Sequence, residues 1–224
     1  MTLRLLILII IILPTITLGQ KSTNDCKCID NKLTGIKAGQ QPDTLFNFSN
    51  GQKIALCGYK YPNIRPTTFS EFTLFICGKD TIIDFWGAVL SCRTAFDNDT
   101  LTIHNLKNLP TAQDRQFQTT IWTSEKIYFE NGNLRRQLTV NRKIYKYNRE
   151  EILQTIEEFE TAEINLNDNK MELANRLFIS TISGDQKARQ YFKEFKTRFG
   201  VLDGAFKEEY NDLTAMLRLW DKGL

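Results

Sequence analysis

The chain has 224 residues, of which 42% are hydrophobic and 25% are charged, and its formal net charge is +3. These proportions are ordinary for a folded globular protein and argue against an intrinsically disordered chain. The length suits one sizeable domain or two small ones, and so small a net charge does not by itself predict a polyanionic or polycationic partner.

Residues 1–19 have the layout of a secretory signal peptide. Arg4 gives a positive start, residues 5–13 form an unbroken apolar run, and small residues precede Gln20. The alternative is an uncleaved membrane anchor, but the apolar stretch is interrupted by Pro14 and is shorter than the roughly 20 residues that span a bilayer. The sequence therefore predicts cleavage before Gln20, a secreted or periplasmic protein, and no integral membrane segment after cleavage.

All five cysteines lie in the first half of the mature chain, and the later half has none. In an oxidising compartment they are candidates for two disulfide bonds and one leftover thiol, in a pairing that their spacing does not select. Cys57 and Cys77 each precede a glycine in an apolar segment, so a bridge between them is one interpretation, and buried unpaired thiols are the other. The disulfide candidates are Cys26, Cys28, Cys57, Cys77 and Cys92.

Residues 44–147 contain short apolar runs separated by turn signals, which predicts antiparallel strands. Residues 20–43 are polar and interrupted by glycine and proline, which indicates an irregular leader tied down through Cys26 or Cys28. Asn131-Gly132 lies between two strand-like runs and favours a type I′ hairpin. The predicted strands are residues 44–48, 54–59, 72–77, 81–90, 100–106, 117–122, 126–130 and 133–140, with a linker at 109–115 and an extension of the last strand at 141–147.

The hydrophobic period changes to that of helices after Tyr147. Four amphipathic stretches joined by short loops predict four antiparallel helices whose apolar stripes form a core. The predicted N-caps are Asn148 (with Glu151 as a capping box), Asn169 (with Glu172), Asp185 and Asp203. The fold class is therefore α+β, with an N-terminal antiparallel, sandwich-like β-rich part at 44–147 and a C-terminal four-helix part at 148–224.

No motif for catalysis, metal binding or cofactor binding stands out. The chain lacks a Gly-x-Ser-x-Gly elbow, a Gly-rich phosphate loop and a His-Glu-x-x-His pattern, and Cys26-Lys27-Cys28 lacks the spacing of zinc ligands. His104 is the single histidine and lies in an alternating run, which favours a surface strand histidine over a catalytic base. A hydrolase site in the β-rich part is the competing hypothesis, with Asp80, Asp84, Cys92 and His104 as its candidates.

One long basic run is the most informative charged feature, because no acidic side chain occurs between Glu130 and Glu150. Residues 20–147 carry 17 basic and 11 acidic side chains, hence +6, and residues 148–224 carry 11 basic and 15 acidic ones, hence −4. Such a run favours a patch for an anionic partner. The alternative is a solvated strand face neutralised by the acidic helix that follows. The predicted patch is Arg135, Arg136, Arg142, Lys143, Tyr145 and Lys146.

These features predict an exported, soluble, non-catalytic protein that acts by binding another macromolecule. A protein or an anionic glycan fits the basic run as a partner. Nucleic acid also fits the basic and aromatic side chains of the run, but it does not fit the exported compartment. An immunity-type inhibitor that masks a toxin enzyme is one example of this class, because it needs only a complementary surface; an envelope-associated binder is another. The alternatives are the exported hydrolase and a mainly structural envelope protein.

The export prediction can be tested by the intact mass of the protein purified from its native cell. We expect the chain to begin at or near Gln20, because signal peptidase removes the segment before the small-residue site. A mass that retains residues 1–19 would contradict the predicted cleavage.

Overall fold

The computed structural model of the protein describes residues 26–29, 39–61, 66–79, 81–86, 91–111, 116–163, 170–200 and 202–224, with only the backbone of Phe85 and Trp86. The predicted signal peptide at 1–19, the candidate carboxylate Asp80 and the predicted N-cap Asn169 lie outside these residues. In the described part of the chain, no helix is long and apolar enough to cross a bilayer.

The described structure consists of an antiparallel sheet followed by helices, which confirms the predicted α+β class. The strands are β1 (Thr44–Asn47), β2 (Lys53–Lys60), β3 (Thr68–Ile76), β4 (Thr81–Trp86), β5 (Ser91–Asp97), β6 (Thr100–Thr111), β7 (Gln116–Glu130) and β8 (Asn133–Val140). The helices are α1 (Arg149–Thr161), α2 (Lys170–Ile182), α3 (Gln186–Phe199) and α4 (Gly204–Asp221). The division into two parts near Tyr147 stays a prediction, since side chains of the sheet share a core with the helices.

The eight strands form one sheet that is folded into two facing halves, β1–β4 and β5–β8. The strand order is β1-β2-β3-β5-β6-β7-β8, with β4 on β3 beside β5, and only two residue pairs join β3 to β5. Phe48, after β1, packs edge to face on Phe96 at 5.0 Å and on Phe129 at 4.9 Å. The inner faces of the half-sheets therefore pack together as in a sandwich, around a core that includes Ile54 and Leu101.

The hairpin signal in the sequence was accurate. Asn131 and Gly132 have φ values of 51° and 76° and join β7 to β8 in register from Glu130 and Asn133 onward. Two central residues with positive φ are what a type I′ turn requires. The β7–β8 and β5–β6 turns lie at one end of the second half-sheet, and the helices pack at its other end, where the helical core includes Leu109 and Trp122.

Several strand predictions were wrong. β5 was not predicted, Leu109-Pro110 belongs to β6 and not to a linker, β7 is one continuous strand, and residues 141–147 do not extend β8. Leu109 is buried in the core shared with the helices, so tertiary packing extends the hairpin past a proline that the local sequence marks as a break. His104 lies in a half-exposed strand, as predicted.

Two disulfide bonds tie the leader to the first half-sheet, one from Cys26 to Cys77 and one from Cys28 to Cys57, and Cys92 is unpaired and buried. Both interpretations of Cys57 and Cys77, a bridge between them and buried unpaired thiols, are wrong, because each is bonded to a leader cysteine. Cys57 lies opposite Thr73 in the β2–β3 ladder, and Cys77 lies past the end of β3, so the two are apart along the sheet. The leader instead covers the outer face of the half-sheet, where it buries residues such as Ala55 and Phe75.

The helix caps follow the sequence closely. Asn148 and Glu151 form both bonds of a capping box at α1, Asp185 accepts from the backbone of Ala188 at α3, and Gly200 is the C-cap of α3. Asp203 is the N-cap residue of α4, but its side chain makes no cap bond. Aromatic side chains dominate the core of the bundle. The ring centroid of Phe195 lies 4.7 Å from that of Phe199 and 5.6 Å from that of Tyr210. The apolar stripes therefore face one another, as their period predicted.

Gly58 is required where β2 crosses a bulge in the β2–β3 ladder. The register shifts between Cys57 and Tyr59, Glu71 on β3 has φ 46°, and a Cβ on Gly58 would lie 2.2 Å from the Cβ of Phe72. We expect Gly58→Ala to lower the free energy of unfolding by about 3 kcal/mol, because two backbone-fixed atoms overlap. Urea denaturation measures this loss.

Gly132→Ala is the matched control for Gly58→Ala. Its added Cβ meets open space, although φ is +76°, so we expect a loss of about 1 kcal/mol from the left-handed backbone alone. Equal losses in the two variants would contradict the steric explanation.

Candidate interaction surface

The predicted basic patch does not form one surface, because strand alternation sends Arg135 and Arg136 to opposite faces of β8. Arg135 lies on the outer face and donates to Glu130 at 3.0 Å. Arg136 lies on the inner face and donates from Nε and Nη2 to Glu125 at 2.6 and 3.0 Å. Its guanidinium also bonds the carboxylate of Asp84 and, at 3.2 Å, the carbonyl of Ile83.

Arg136 is a structural clamp between two sheet edges. Glu125, on β7, is only 8% exposed, and Asp84 and Ile83 belong to β4, so the guanidinium joins β8 to β4 across the open side of the folded sheet. Hydrogen bonding to Glu125 is the largest cause that raises the pKa of Arg136 above its usual value. This arginine therefore has a structural role.

Arg142 lies at the other end of the basic run and packs on the last helix. Its guanidinium lies 4.1 Å from the ring of Trp220, and its Nη2 donates to the Trp220 carbonyl at 2.6 Å. Trp220 also stacks on Trp122, with 5.9 Å between ring centroids. The arginine is thus part of a stack of side chains that joins β7, the segment after β8, and α4.

Of the remaining predicted patch residues, Lys146 lies beside this stack and Lys143 directly follows Arg142 in the chain. Lys143 and Lys146 are exposed, and Lys146 Nζ lies 5.6 Å from the Trp220 ring. We name Arg142, Lys143, Lys146 and Trp220 the Trp220 patch. Trp220 comes from a position far along the chain, so sequence reasoning missed it; an aromatic residue at the end of the last apolar stripe was the only available signal.

Tyr145 adjoins the Trp220 patch but is turned to a structural partner. Its hydroxyl donates to Glu151 at 2.7 Å, and that hydrogen bond is the main cause that raises the pKa of Tyr145. Glu151 is itself buried by the capping box.

The predicted neutralisation of the basic run by α1 is wrong for Arg135 and Arg136, whose acidic partners lie on β7 and β4. The acidic residues of α1 pair within the helical part instead. Glu158 accepts from Arg176 at 2.5 Å and Glu160 from Lys187 at 2.6 Å. The hydrogen bond from Lys187 is the main cause that lowers the pKa of Glu160.

His104 has a serine partner that the sequence did not indicate. Arg93, His104 and Ser124 are opposite one another on the outer face of the second half-sheet, and His104 Nδ1 lies 2.8 Å from Ser124 Oγ. Partial burial, with a smaller contribution from Arg93, lowers the pKa of His104, so the imidazole is neutral at pH 7. Ser124 could be found only from the strand register.

The two other hydrolase candidates that the structure describes, Asp84 and Cys92, are not brought to His104. Cys92 lies on the inner face, is fully buried, and donates to Asn105 Oδ1 at 3.0 Å. Burial raises the pKa of its thiol to about 12, so it is protonated at neutral pH and a weak nucleophile. Asp84 is held by Arg136 on the inner side. No geometry in the described residues combines the predicted candidates into one site.

No metal centre appears in the described parts of the chain. Cys26 and Cys28 are both consumed by disulfides, and no group of three or more ligating side chains is arranged there to hold a metal. A cavity of about 350 Å³ opens between α1 and α3. Its arginine, Arg198, donates to the carbonyls of Glu160 and Ala162 at the end of α1 and so acts as a helix cap.

Comparison with known proteins gives no relative: no family model matches the chain, and neither a curated protein nor a solved structure matches it significantly. The functional argument therefore rests on the residues themselves.

The clamp assigned to Arg136 predicts unequal effects for two neighbouring arginines. We expect Arg136→Ala to lower the free energy of unfolding by about 2 kcal/mol, because it leaves the buried Glu125 without its partner. Arg135→Ala should change it by less than about 0.5 kcal/mol, since an exposed ion pair contributes little. Urea denaturation of both variants measures this difference, and equal losses would argue against the clamp.

Proposed function

We propose that this chain is an exported binding protein with no catalytic chemistry of its own, which acts by contact with another macromolecule. The observation that carries the proposal is the Trp220 patch, where Arg142 is held against a tryptophan, the exposed Lys146 lies beside that ring, and the exposed Lys143 follows Arg142 in the chain. Exposed cations next to a fixed aromatic side chain are suited to an anionic surface.

The disulfides support the proposed compartment. Two bonds attach the leader to the sheet, and structural disulfides form and persist in oxidising environments such as the periplasm or the extracellular space. Together with the apolar segment at residues 5–13, they favour export.

The way in which reactive side chains are used supports a binding role over a catalytic one. The thiol of Cys92 is buried and protonated, and Asp84 is bound to Arg136. Each therefore has a structural explanation that needs no substrate. An immunity-type inhibitor or an envelope-associated binder remains the type of protein that these features fit.

Co-purification from the native host tests the binding proposal directly. An affinity tag inserted at the exposed Asn131-Gly132 turn lies at the end of the half-sheet away from the helices and leaves the Trp220 patch open. We expect one stoichiometric partner at low salt that is released at high salt, because salt screens exposed charges. The eluates are compared by mass spectrometry.

The control replaces two exposed lysines outside the Trp220 patch, Lys79→Glu with Lys126→Glu. It should retain the partner. A well-folded protein at its native level with no partner at either salt concentration would contradict the proposal.

The hydrolase remains the second candidate function because of one contact, the pair of His104 and Ser124 at 2.8 Å. A neutral imidazole beside a serine hydroxyl is the start of a nucleophilic site, but its described neighbours in the same row are Arg93 and Thr139, neither of which is a carboxylate that could orient the histidine. Ser124→Ala and His104→Ala distinguish the two functions. An enzyme loses hydrolysis in a substrate screen with its melting temperature intact, whereas a binder retains its partner in both variants.

A further inference from the structure

We infer that the Trp220 patch recognises a short acidic segment of a protein, with Arg142 as the residue that binds its carboxylate. This inference rests on the proposed function and names the chemistry of the partner. It is drawn from three observations: the fixed orientation of Arg142, the two exposed lysines beside it, and the acidic helix that begins directly after the patch.

Arg142 is oriented before any partner arrives. One of its nitrogens is bound to the Trp220 carbonyl at 2.6 Å, and its plane is held 4.1 Å from an indole that is itself stacked on Trp122. A guanidinium fixed at one nitrogen and one face keeps its other N–H groups pointing in a set direction. Such preorganisation favours a bidentate carboxylate, because little side-chain entropy is lost on binding.

Lys143 and Lys146 add charge without competing contacts. Both are exposed, and no carboxylate in the described residues lies within ion-pair distance of either ammonium group. The nearby Asp221 is occupied, since Arg189 donates to both of its oxygens at 2.8 and 2.9 Å. The patch therefore has three cations in five consecutive residues and one tryptophan that positions the first of them.

The surroundings select a protein segment over an extended polyanion. Glu150 and Glu157 of α1 are exposed, and α1 begins three residues after Lys146. A bilayer of anionic lipid or a long sulfated glycan would place negative charge against these carboxylates as well as against the patch. A short acidic segment fits the cations and avoids the glutamates, which is specificity by local charge complementarity.

Titration calorimetry with a short Glu-rich synthetic peptide tests this inference. We expect Lys143→Glu with Lys146→Glu to weaken peptide binding by about tenfold or more, because two attractions become repulsions. The control pair Lys79→Glu with Lys126→Glu, with the same change in net charge, should alter the affinity by less than about twofold. Circular dichroism confirms that each variant is folded.

Arg142→Lys separates a fixed guanidinium from a simple positive charge. We expect it to weaken peptide binding by about fivefold, since lysine retains the charge but not the planar, stacked donor group. An unchanged affinity would show that Arg142 contributes charge alone and would overturn its assignment as the recognising residue.

Two further probes identify the competing partners. Heparin and vesicles of phosphatidylglycerol should bind more weakly than the peptide at equal charge concentration. Stronger binding of either probe, no binding of the peptide, or equal peptide loss in the patch and control variants would each overturn the inference. If a native partner is found and Lys143→Glu with Lys146→Glu retains it, the proposed function stands and only this assignment of its surface fails.

Discussion

Arg136 supplies the contact on which the folded sheet depends. The two half-sheets are continuous only through two residue pairs between β3 and β5, so their far edges, β4 and β8, need another link. Arg136 provides it by reaching from β8 to Asp84 and to the Ile83 carbonyl on β4 while it also binds Glu125. It thereby satisfies a backbone acceptor on an edge strand, which reduces the tendency of that edge to pair with another chain. Because Glu125 is nearly buried, the clamp also neutralises a charge that would be costly alone.

The leader completes the first half-sheet from the other side. The second half-sheet covers its inner face, and the leader, bonded through Cys26 and Cys28, covers part of its outer face. A half-sheet buried on both sides explains why β2 and β3 have nearly continuous runs of buried residues, whereas β6 alternates between buried and half-exposed ones. Two covalent bonds hold the described leader residues there, which limits the chain entropy that their attachment would otherwise cost.

The fold could be predicted from the sequence wherever a local pattern determines the structure. Asn131-Gly132, the capping box at Asn148 and the glycine that ends α3 each act within a few residues, and each was found. β5 was missed because Cys92 is its one buried residue, and a single buried position does not stand out as an apolar alternation. The pairing of Cys57 could not be selected because it depends on which face of the strand the leader residues cover, and that is a property of the tertiary structure.

The site shows the same division between local and tertiary information. That Arg135 and Arg136 cannot share a face follows from strand alternation and was available from the sequence. The pairs His104 with Ser124 and Arg142 with Trp220 were not, since they are separated by 20 and 78 residues and depend on strand register and helix docking. Chemistry-bearing residue types could be identified from the chain, but their partners could not.

The net charge of each segment did not predict which charged side chains are exposed and unpaired. Many charged side chains pair inside their own segment, so a segment total does not show which charges are exposed and unpaired: Glu158 and Glu160 of α1 bind Arg176 and Lys187, and Asp221 binds Arg189. Arg135 and Arg136 likewise pair with acidic residues of the β-rich part. What distinguishes the Trp220 patch is that its two exposed lysines lie within four residues of an arginine whose position is already fixed by Trp220. A partner that binds this surface would recognise these three side chains and their geometry. The net charge of the whole chain does not predict that binding.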